Sequence, residues 1–167
     1  YIISHIKINK RPKMNIFDLD YNPQVAAEYH CDKHVVKMIL ESAQILCAVH
    51  HKNGNSDVPY KLTHKNHPCT IWAGESKQNY LWLTELSEHL NNEFMFRFNH
   101  DVNHKSYDVI ANLPDIDLPH IGLTRFSEAM PDYCKVTDCT VMNYREYYRK
   151  EKAHILKYTN AQTPYWI

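Results

Sequence analysis

The chain has 167 residues, a length typical of a single domain that buries its own hydrophobic core. Hydrophobic residues make up 44% and charged residues 23%, which excludes a disordered or low-complexity protein. Lysine plus arginine equals aspartate plus glutamate, 19 of each, so binding to nucleic acid would depend on local basic patches. The sequence lacks the roughly 18 consecutive apolar residues of a transmembrane helix and any visible secretory signal, so we expect no membrane partner.

The first residues differ from the rest of the chain in charge. Residues 1–13 contain no acidic residue, and their basic and histidine side chains are His5, Lys7, Lys10, Arg11 and Lys13. We expect this stretch to be a basic extension outside the fold, and residues 14–167 to form one α-helical domain. A basic arm that contacts phosphates is the alternative interpretation.

The first helix is predicted from its capping residues. Asn22-Pro23 is a typical helix start, and neither glycine nor proline follows before His51. Because nearly thirty residues is long for one globular helix, we expect a break near Cys31-Asp32.

Two further helices follow, separated by irregular stretches. The second is predicted over about residues 69–98, where Leu83, Leu86, Leu90 and Phe94 recur on one face, and the third over about residues 140–158. Residues 52–68 and 99–136 are polar or rich in proline, which favours irregular structure. The sequence therefore predicts an all-α fold, a compact single-domain bundle of three main helices with long irregular connections.

Glycine and cysteine usage narrows the functional classes. Only three glycines occur, which argues against a glycine-rich phosphate loop. The five cysteines include no Cys-x-x-Cys pair, so we expect reduced thiols in an intracellular protein, with a Cys134–Cys139 bridge left open.

A narrow polar stripe marks the first helix. On a helical wheel its members fall within about 60° of one line, whereas the other faces are almost entirely apolar. They are His30, Lys33, His34, Lys37, Glu41 and Gln44. The pattern indicates a helix enclosed by protein that opens on one side to a polar cleft. The alternative is a solvated edge with an ordinary Lys37–Glu41 pair.

A second group of candidates surrounds the start of the second helix. His64 and His67 lie in the segment Thr63–Pro68, where imidazoles at a helix N-terminus can donate to phosphate. Inside the helix, Glu75 is a candidate carboxylate, and Trp72 and Asn79 are candidate substrate contacts; core packing is the alternative for the tryptophan.

The third helix interleaves basic residues with tyrosines. Arg145 and Arg149 in this pattern are typical of a surface that follows a nucleic-acid strand. A partly buried packing helix is the alternative.

The chain contains twelve histidines, and this abundance supports a metal-binding alternative. His30 and His34 have the spacing that places two imidazoles on one side of a helix, and His64 and His67 complete a possible ligand set for zinc or another divalent metal. Under this interpretation Glu75 is the base of a metal-dependent nucleotide or nucleic-acid hydrolase.

The order of several segments resembles a group of phage-encoded proteins without characterised function, and more distantly the pyrimidine-dimer DNA glycosylase/AP lyases of the T4 endonuclease V type. The segments are Met14–Phe17, Ala27–His30, Lys33–Met38, His64–Pro68, Asn79–Leu83 and Arg97-Phe98. The resemblance implies an intracellular protein in the cytoplasm of a bacterial host. It also implies a compact all-α DNA-repair enzyme that needs no cofactor and binds double-stranded DNA with a flipped base, or single-stranded DNA.

The roles that this resemblance implies fall on the polar stripe and its surroundings. The family attacks the sugar with the α-amine of an N-terminal threonine, where this chain has Asn15 after Met14, so another amine has to attack. The family also has an arginine, a catalytic glutamate and a second arginine where this chain has His30, Cys31 and His34, so another carboxylate has to stabilise the charge that develops on the sugar. Lys33 or Lys37 is the candidate amine. The carboxylate candidates are Asp32, Glu41 and Glu75. The leading hypothesis is an N-glycosylase, with or without lyase activity, acting on damaged or modified pyrimidines; a phage factor that binds DNA or a host protein without catalysis is a further alternative.

Overall fold

The structure, a computed structural model, describes residues 14–167 and confirms the predicted all-α fold. Within this range there are six α-helices and no strand. The helices are α1 (Pro23–Tyr29), α2 (Asp32–Lys52), α3 (Pro68–Glu75), α4 (Lys77–Phe98), α5 (Lys105–Ala111) and α6 (Thr140–Glu151). The predictions for residues 1–13 lie outside the described residues.

The predicted break in the first helix is confirmed. The Asn22 side chain accepts from the backbone N–H groups of Gln24 and Val25 and begins α1. His30 and Cys31 then adopt extended backbone angles, and α2 begins at Asp32. The break changes the direction of the chain, so His30 belongs to a junction between two helices rather than to α2.

The second and third helices differ from their predicted bounds. Ser76 has an extended backbone and its hydroxyl caps α4 by accepting from Asn79, so residues 69–98 form two helices instead of one. The helix α6 ends at Glu151, and a short 3-10 turn follows at Ala153–Ile155. Beyond this turn Thr159 hydrogen-bonds Asp32, and this contact draws the chain back to the start of α2.

The helix α4 packs against α1 and α2, and α3 and α5 pack against α2. The segment 14–19 has no regular secondary structure, yet all six of its residues are buried. Its Phe17 ring stacks on His34 of α2, with ring centroids 4.4 Å apart, and also contacts the rings of Tyr144, Tyr147 and Tyr148 of α6. This segment therefore joins α2 to α6 and forms the base of the candidate site.

Two further observations concern the cysteines and the possible membrane spans. All five cysteines are free, Cys134 and Cys139 included. In the described part of the chain, no helix has both the length and the apolar character needed to cross a membrane.

Candidate active site

The polar stripe divides into buried and exposed members. His30, His34 and Glu41 are buried, Gln44 is half-buried, and Lys33 and Lys37 are exposed. Val36 and Leu40 are exposed as well, at 39% and 41%, so α2 is not enclosed on all its other faces as predicted. The helix α2 packs against α3, α4 and α5 but keeps one exposed edge, and the buried members of the stripe border this edge.

Glu41 carries the one carboxyl group of the stripe. Its Oε1 lies 3.8 Å from Lys37 Nζ, the backbone N–H of Asn15 hydrogen-bonds the carboxyl group, and its Oε2 has no hydrogen-bond partner among the described residues. Burial raises the pKa of Glu41 to about 7, against the opposing effects of Lys37, Asn15 and Lys152. The group can therefore hold or release a proton near neutral pH, as a general acid or base requires.

His34 lies two turns before Glu41 on α2 and contacts α6. Its Nδ1 is 2.6 Å from the Tyr148 hydroxyl, which also accepts from the backbone N–H of Cys31. Burial, together with the charges of His30, Lys152 and Lys37, lowers the pKa of His34 to about 2, so its ring is neutral. We assign the Tyr148 proton to the bond with Nδ1, because imidazole nitrogen is a stronger acceptor than the Cys31 sulfur 3.8 Å away.

His30 has a structural contact at the junction of α1 and α2. Its Nδ1 lies 2.6 Å from the Ala26 carbonyl and must donate, since a carbonyl has no proton. Burial lowers the pKa of His30 to about 4, and its Nε2 has no partner among the described residues. His30 therefore stays neutral and fully enclosed, with its ring edge against Phe17.

Lysines form the outer boundary of the site. The charges of Lys37 and Lys152 act on both His34 and Glu41, and Lys152 Nζ lies 5.0 Å from the centre of the Tyr147 ring. Lys33 is exposed one turn before Lys37 on α2, and the Lys157 carbonyl accepts from the Asp32 backbone at the start of that helix. This face is a local basic patch on a chain with no net charge.

Asn15 connects the site to the interior. Its Oδ1 accepts from the Tyr144 hydroxyl at 2.9 Å, and its Nδ2 donates to the Ala129 carbonyl at the same distance. Further along the segment, Asp18 is fully buried, which raises its pKa well above the ordinary value, and its Oδ1 has no partner among the described residues. Two enclosed carboxyl groups, those of Asp18 and Glu41, therefore influence the same neighbour, the Cys69 thiol.

A cavity of about 320 Å³ lies next to Asn15. Its lining includes Met14, His67, Ala129 and Met130. Met14 precedes Asn15 in the chain, and the Ala129 carbonyl accepts from Asn15. Two of its lining residues therefore connect the cavity to Asn15, and no charged side chain lines it.

His67 has a defined position at this cavity. Its Nδ1 accepts from the Cys69 backbone and caps α3, and its ring also hydrogen-bonds the Met14 backbone. Burial and the neighbouring His64 lower the pKa of His67. Of the predicted segment 63–68, His67 therefore lines this cavity, whereas His64 is exposed, with its ring centroid 6.3 Å from that of His67.

The four predicted metal ligands lie in two pairs. The ring centroids of His30 and His34 are 6.5 Å apart, and each ring has the separate hydrogen bond given above. Over residues 14–167, no group of three or more histidine, cysteine, aspartate or glutamate side chains is arranged to hold a metal ion. The zinc or divalent-metal alternative stays a prediction without a ligand cluster to locate it.

Two predicted carboxylates have other partners. Asp32 pairs with Arg97 at 3.3 Å and accepts from the backbone and hydroxyl of Thr159, so it fixes the chain after α6 to the start of α2. Glu75 is exposed and accepts from the Thr124 hydroxyl at 2.7 Å. Neither carboxylate contacts the buried histidines of the stripe, since their partners lie on other elements.

The remaining predicted substrate contacts belong to the core or to internal ion pairs. Trp72 packs against Trp82 and Phe126, and the Asn79 side chain bonds the Trp72 carbonyl and the Thr124 hydroxyl. The packing alternative therefore holds for the tryptophan.

The predicted strand-binding surface on α6 is corrected by the C-terminal tail. Arg145 is buried, donates to the Leu19 carbonyl and pairs with Asp20. Arg149 donates to the Trp166 carbonyl and pairs with Glu146. Because the tail and these carboxylates occupy both guanidinium groups, the basic surface lies at Lys37 and Lys152 instead.

Sequence reasoning missed four residues of the site: Asn15, Asp18, Tyr148 and Lys152. The only available signal for the first two was a pair of polar residues inside the apolar segment 14–19. Nothing in the sequence indicated that Tyr148 and Lys152 face α2, because those contacts join residues more than one hundred positions apart.

The sequence matches no protein-family model, and comparisons with curated proteins and with solved structures gave no match.

Proposed function

We propose that the protein is a DNA-acting base-excision enzyme, an N-glycosylase for damaged or modified pyrimidines, with Glu41 as its proton-transferring group. The observation that carries this proposal is the enclosed Glu41 carboxyl group, whose pKa of about 7 and unpartnered oxygen accompany a basic rim and an adjoining cavity. Cleavage of an N-glycosidic bond needs a carboxylate near the sugar, cations for the flanking phosphates and space for an extruded base.

The chemistry assigned to Glu41 follows from its protonation state. In the ionised form it accepts a proton from water as the water oxygen bonds to the sugar C1′, and its charge stabilises the oxocarbenium-like transition state. The bond between C1′ and the base nitrogen breaks, and the base leaves with the electron pair and takes up the proton that Glu41 accepted from the water. One water is consumed for each base released.

Lys37 provides the alternative nucleophile. Its Nζ lies 3.8 Å from the Glu41 carboxylate, so an attack of the Lys37 amine on C1′ would take place beside the same acid–base group. This route leaves a Schiff base between enzyme and sugar, which is the intermediate of a lyase and is trapped by borohydride. Lys33 is one turn further from Glu41 along α2.

The cavity lined by Met14 and Met130 is the proposed place for the extruded base. Its lining is mixed polar and apolar, and the two thioether side chains adapt to the faces of rings of different shape. The basic rim at Lys37 and Lys152 would hold the phosphates on either side of the extruded nucleotide.

The test is base release from duplexes that carry a panel of damaged and modified pyrimidines, measured by chromatography in the presence of EDTA. Glu41→Gln should abolish release, and the matched control Glu75→Gln should leave it unchanged, because Glu75 bonds only Thr124 in the structure. Borohydride trapping with the wild type and Lys37→Ala then separates a lyase from a simple glycosylase.

Three results would contradict the proposal. Release by Glu41→Gln at the wild-type rate removes the assigned role of this carboxyl group. Activity that disappears with EDTA and returns with a divalent metal favours the metal-dependent hydrolase. DNA binding without release of any base from the whole panel favours a non-catalytic factor.

A further inference from the structure

A second cavity, of about 250 Å³, lies at the N-terminus of α6. Lys152 of the Glu41 site follows the opposite end of this 12-residue helix, about 18 Å away along its axis. Tyr21, Arg125, Phe126, Asp138 and Thr140 line the cavity. It is therefore a feature separate from the proposed base-excision site.

Cys139 lies immediately beside this cavity, between the lining residues Asp138 and Thr140. It is the N-cap residue of α6 and the only one of the five cysteines that is not buried. Its sulfur lies 3.4 Å from the hydroxyl of Tyr21, which also lines the cavity. The thiol is thus accessible and is held at a helix N-terminus, where the peptide dipoles favour a thiolate.

The surroundings of Cys139 favour ionisation. Partial burial acts to raise the pKa of the Cys139 thiol, but hydrogen bonds with Tyr21 and with the backbone N–H groups of Met142 and Val141, and the charge of Arg145, together lower it. A thiolate is the attacking species in thiol–disulfide exchange.

Thr140 gives an independent indication that the cavity binds a ligand. It is 3% exposed, and its hydroxyl has no hydrogen-bond partner among the described residues. Buried hydroxyl groups nearly always have a partner, so a polar ligand in the cavity that Thr140 lines would supply the missing one.

The charges of the lining define the class of ligand. Arg125 contributes a cation, with donors beyond those used for the Asp138 carbonyl and Glu128, and Asp138 contributes an exposed carboxylate. The rings of Tyr21 and Phe126 stack at 5.8 Å and form an apolar wall. One cation and one anion match the carboxylate and ammonium groups of an α-amino acid.

We infer that Cys139 is a site of reversible thiol modification by a small disulfide whose halves are α-amino acids, with the zwitterionic group held between Arg125 and Asp138. The Cys139 thiolate attacks one sulfur of the disulfide, a new S–S bond forms to Cys139, and the original S–S bond breaks. The other half leaves as a thiolate and takes up the proton that the Cys139 thiol released. No further oxidant is needed.

The experiment compares two disulfides of zero net charge, cystine and 2-hydroxyethyl disulfide, by mass spectrometry of the reacting protein with peptide mapping. We expect the first adduct at Cys139, and the rate ratio of cystine to 2-hydroxyethyl disulfide to fall at least several-fold in Arg125→Gln. Comparing this ratio between the wild type and the variant removes the difference in intrinsic reactivity between the two reagents. Tyr21→Phe should slow both reagents equally, because it removes a hydrogen bond to the sulfur.

Cys139→Ser is the control and should show no rapid adduct, while circular dichroism checks that each variant is folded. A first adduct at a different cysteine overturns the assignment of the thiol. An unchanged rate ratio in folded Arg125→Gln overturns the zwitterion site. Neither result depends on base excision, so this inference and the proposed function are tested separately.

Discussion

Lys37 Nζ lies 3.8 Å from Glu41 Oε1, one helical turn away, but the Lys37 side chain is 59% exposed whereas that of Glu41 is 8% exposed. A pair at this spacing on a solvated surface contributes only a few tenths of a kcal/mol and leaves both pKa values near normal. Here the carboxyl group is enclosed, and desolvation outweighs the nearby ammonium group. The asymmetric exposure of this pair is what makes Glu41 a candidate acid–base group.

Replacement of Glu41 should change how stability depends on pH. The folded-state pKa of about 7 exceeds the ordinary 4.5, so the folded protein binds a proton that the unfolded chain has lost. The stabilisation from this group is complete below pH 4.5 and is lost as the pH rises to 7. Relative to the wild type, Glu41→Gln should therefore gain about 1–3 kcal/mol in unfolding free energy between pH 4.5 and pH 8. Urea unfolding at both pH values measures this, and an equal difference at the two would contradict it.

Removal of the rim lysines should weaken DNA binding in a salt-dependent manner. Lys37→Ala and Lys152→Ala should each lower the slope of log affinity against log salt by about 0.9 if each lysine neutralises one phosphate of a duplex. Fluorescence anisotropy at several salt concentrations measures the slope. Lys135→Ala is the control, because Lys135 pairs with Asp132 outside the site. A slope unchanged in both rim variants would exclude this face as the DNA contact.

His34 should remain neutral well below the ordinary histidine pKa. Its pKa of about 2 and the hydrogen bond from Tyr148 predict a proton on Nε2 and none on Nδ1 from pH 8 down to pH 5. Nitrogen chemical shifts of ¹⁵N-histidine distinguish this tautomer from the alternative. Tyr148→Phe should alter the Nδ1 shift of His34 but not that of His50, which bonds Tyr80 instead. Protonation of His34 near pH 6 would contradict the assignment.

Loss of Arg97 should destabilise the junction of α1 and α2. The Arg97 side chain is fully buried, donates to the carbonyls of Glu28 and His30, and pairs with Asp32 and Glu93. Arg97→Met leaves these acceptors and both carboxylates without their partner, at a cost of about 3–5 kcal/mol. Thermal and urea unfolding measure the change. Lys135→Met is the control and should have little effect on stability, because it breaks only an exposed pair with Asp132. A similarly small effect of Arg97→Met would show that the buried network contributes little to stability.

Much of the local structure could be predicted because its causes lie within a few residues. The Asn22 cap and the break before Asp32 depend on neighbouring residues and on helix length, and both are present. Ser76 shows the limit of such reasoning: its hydroxyl caps a new helix, but the apolar periodicity on either side favoured one continuous helix.

The candidate site was predicted in part for a related reason. The spacing of His34, Lys37 and Glu41 predicted that they share one edge of α2, because helix geometry alone places residues at this spacing on the same side. The sequence contains no comparable rule for Asp32, which pairs with Arg97, or for Arg145, which pairs with Asp20. The sequence alone does not distinguish an ionisable side chain that lies in a functional site from one that forms an internal ion pair.

By itself, the sequence determined that the chain is helical, where most helices begin and which side chains share the edge of α2, because hydrogen bonding and periodicity act over three or four residues. Only the tertiary structure decided which of those side chains lose contact with water. Glu41 acquires its raised pKa from desolvation by the surrounding structure, which outweighs the lowering effects of Lys37, of Asn15 in the segment 14–19 and of Lys152 beyond the end of α6. Desolvation depends on everything packed around a group, and even the opposing charge of Lys152 comes from a residue 111 positions away from Glu41 in the chain.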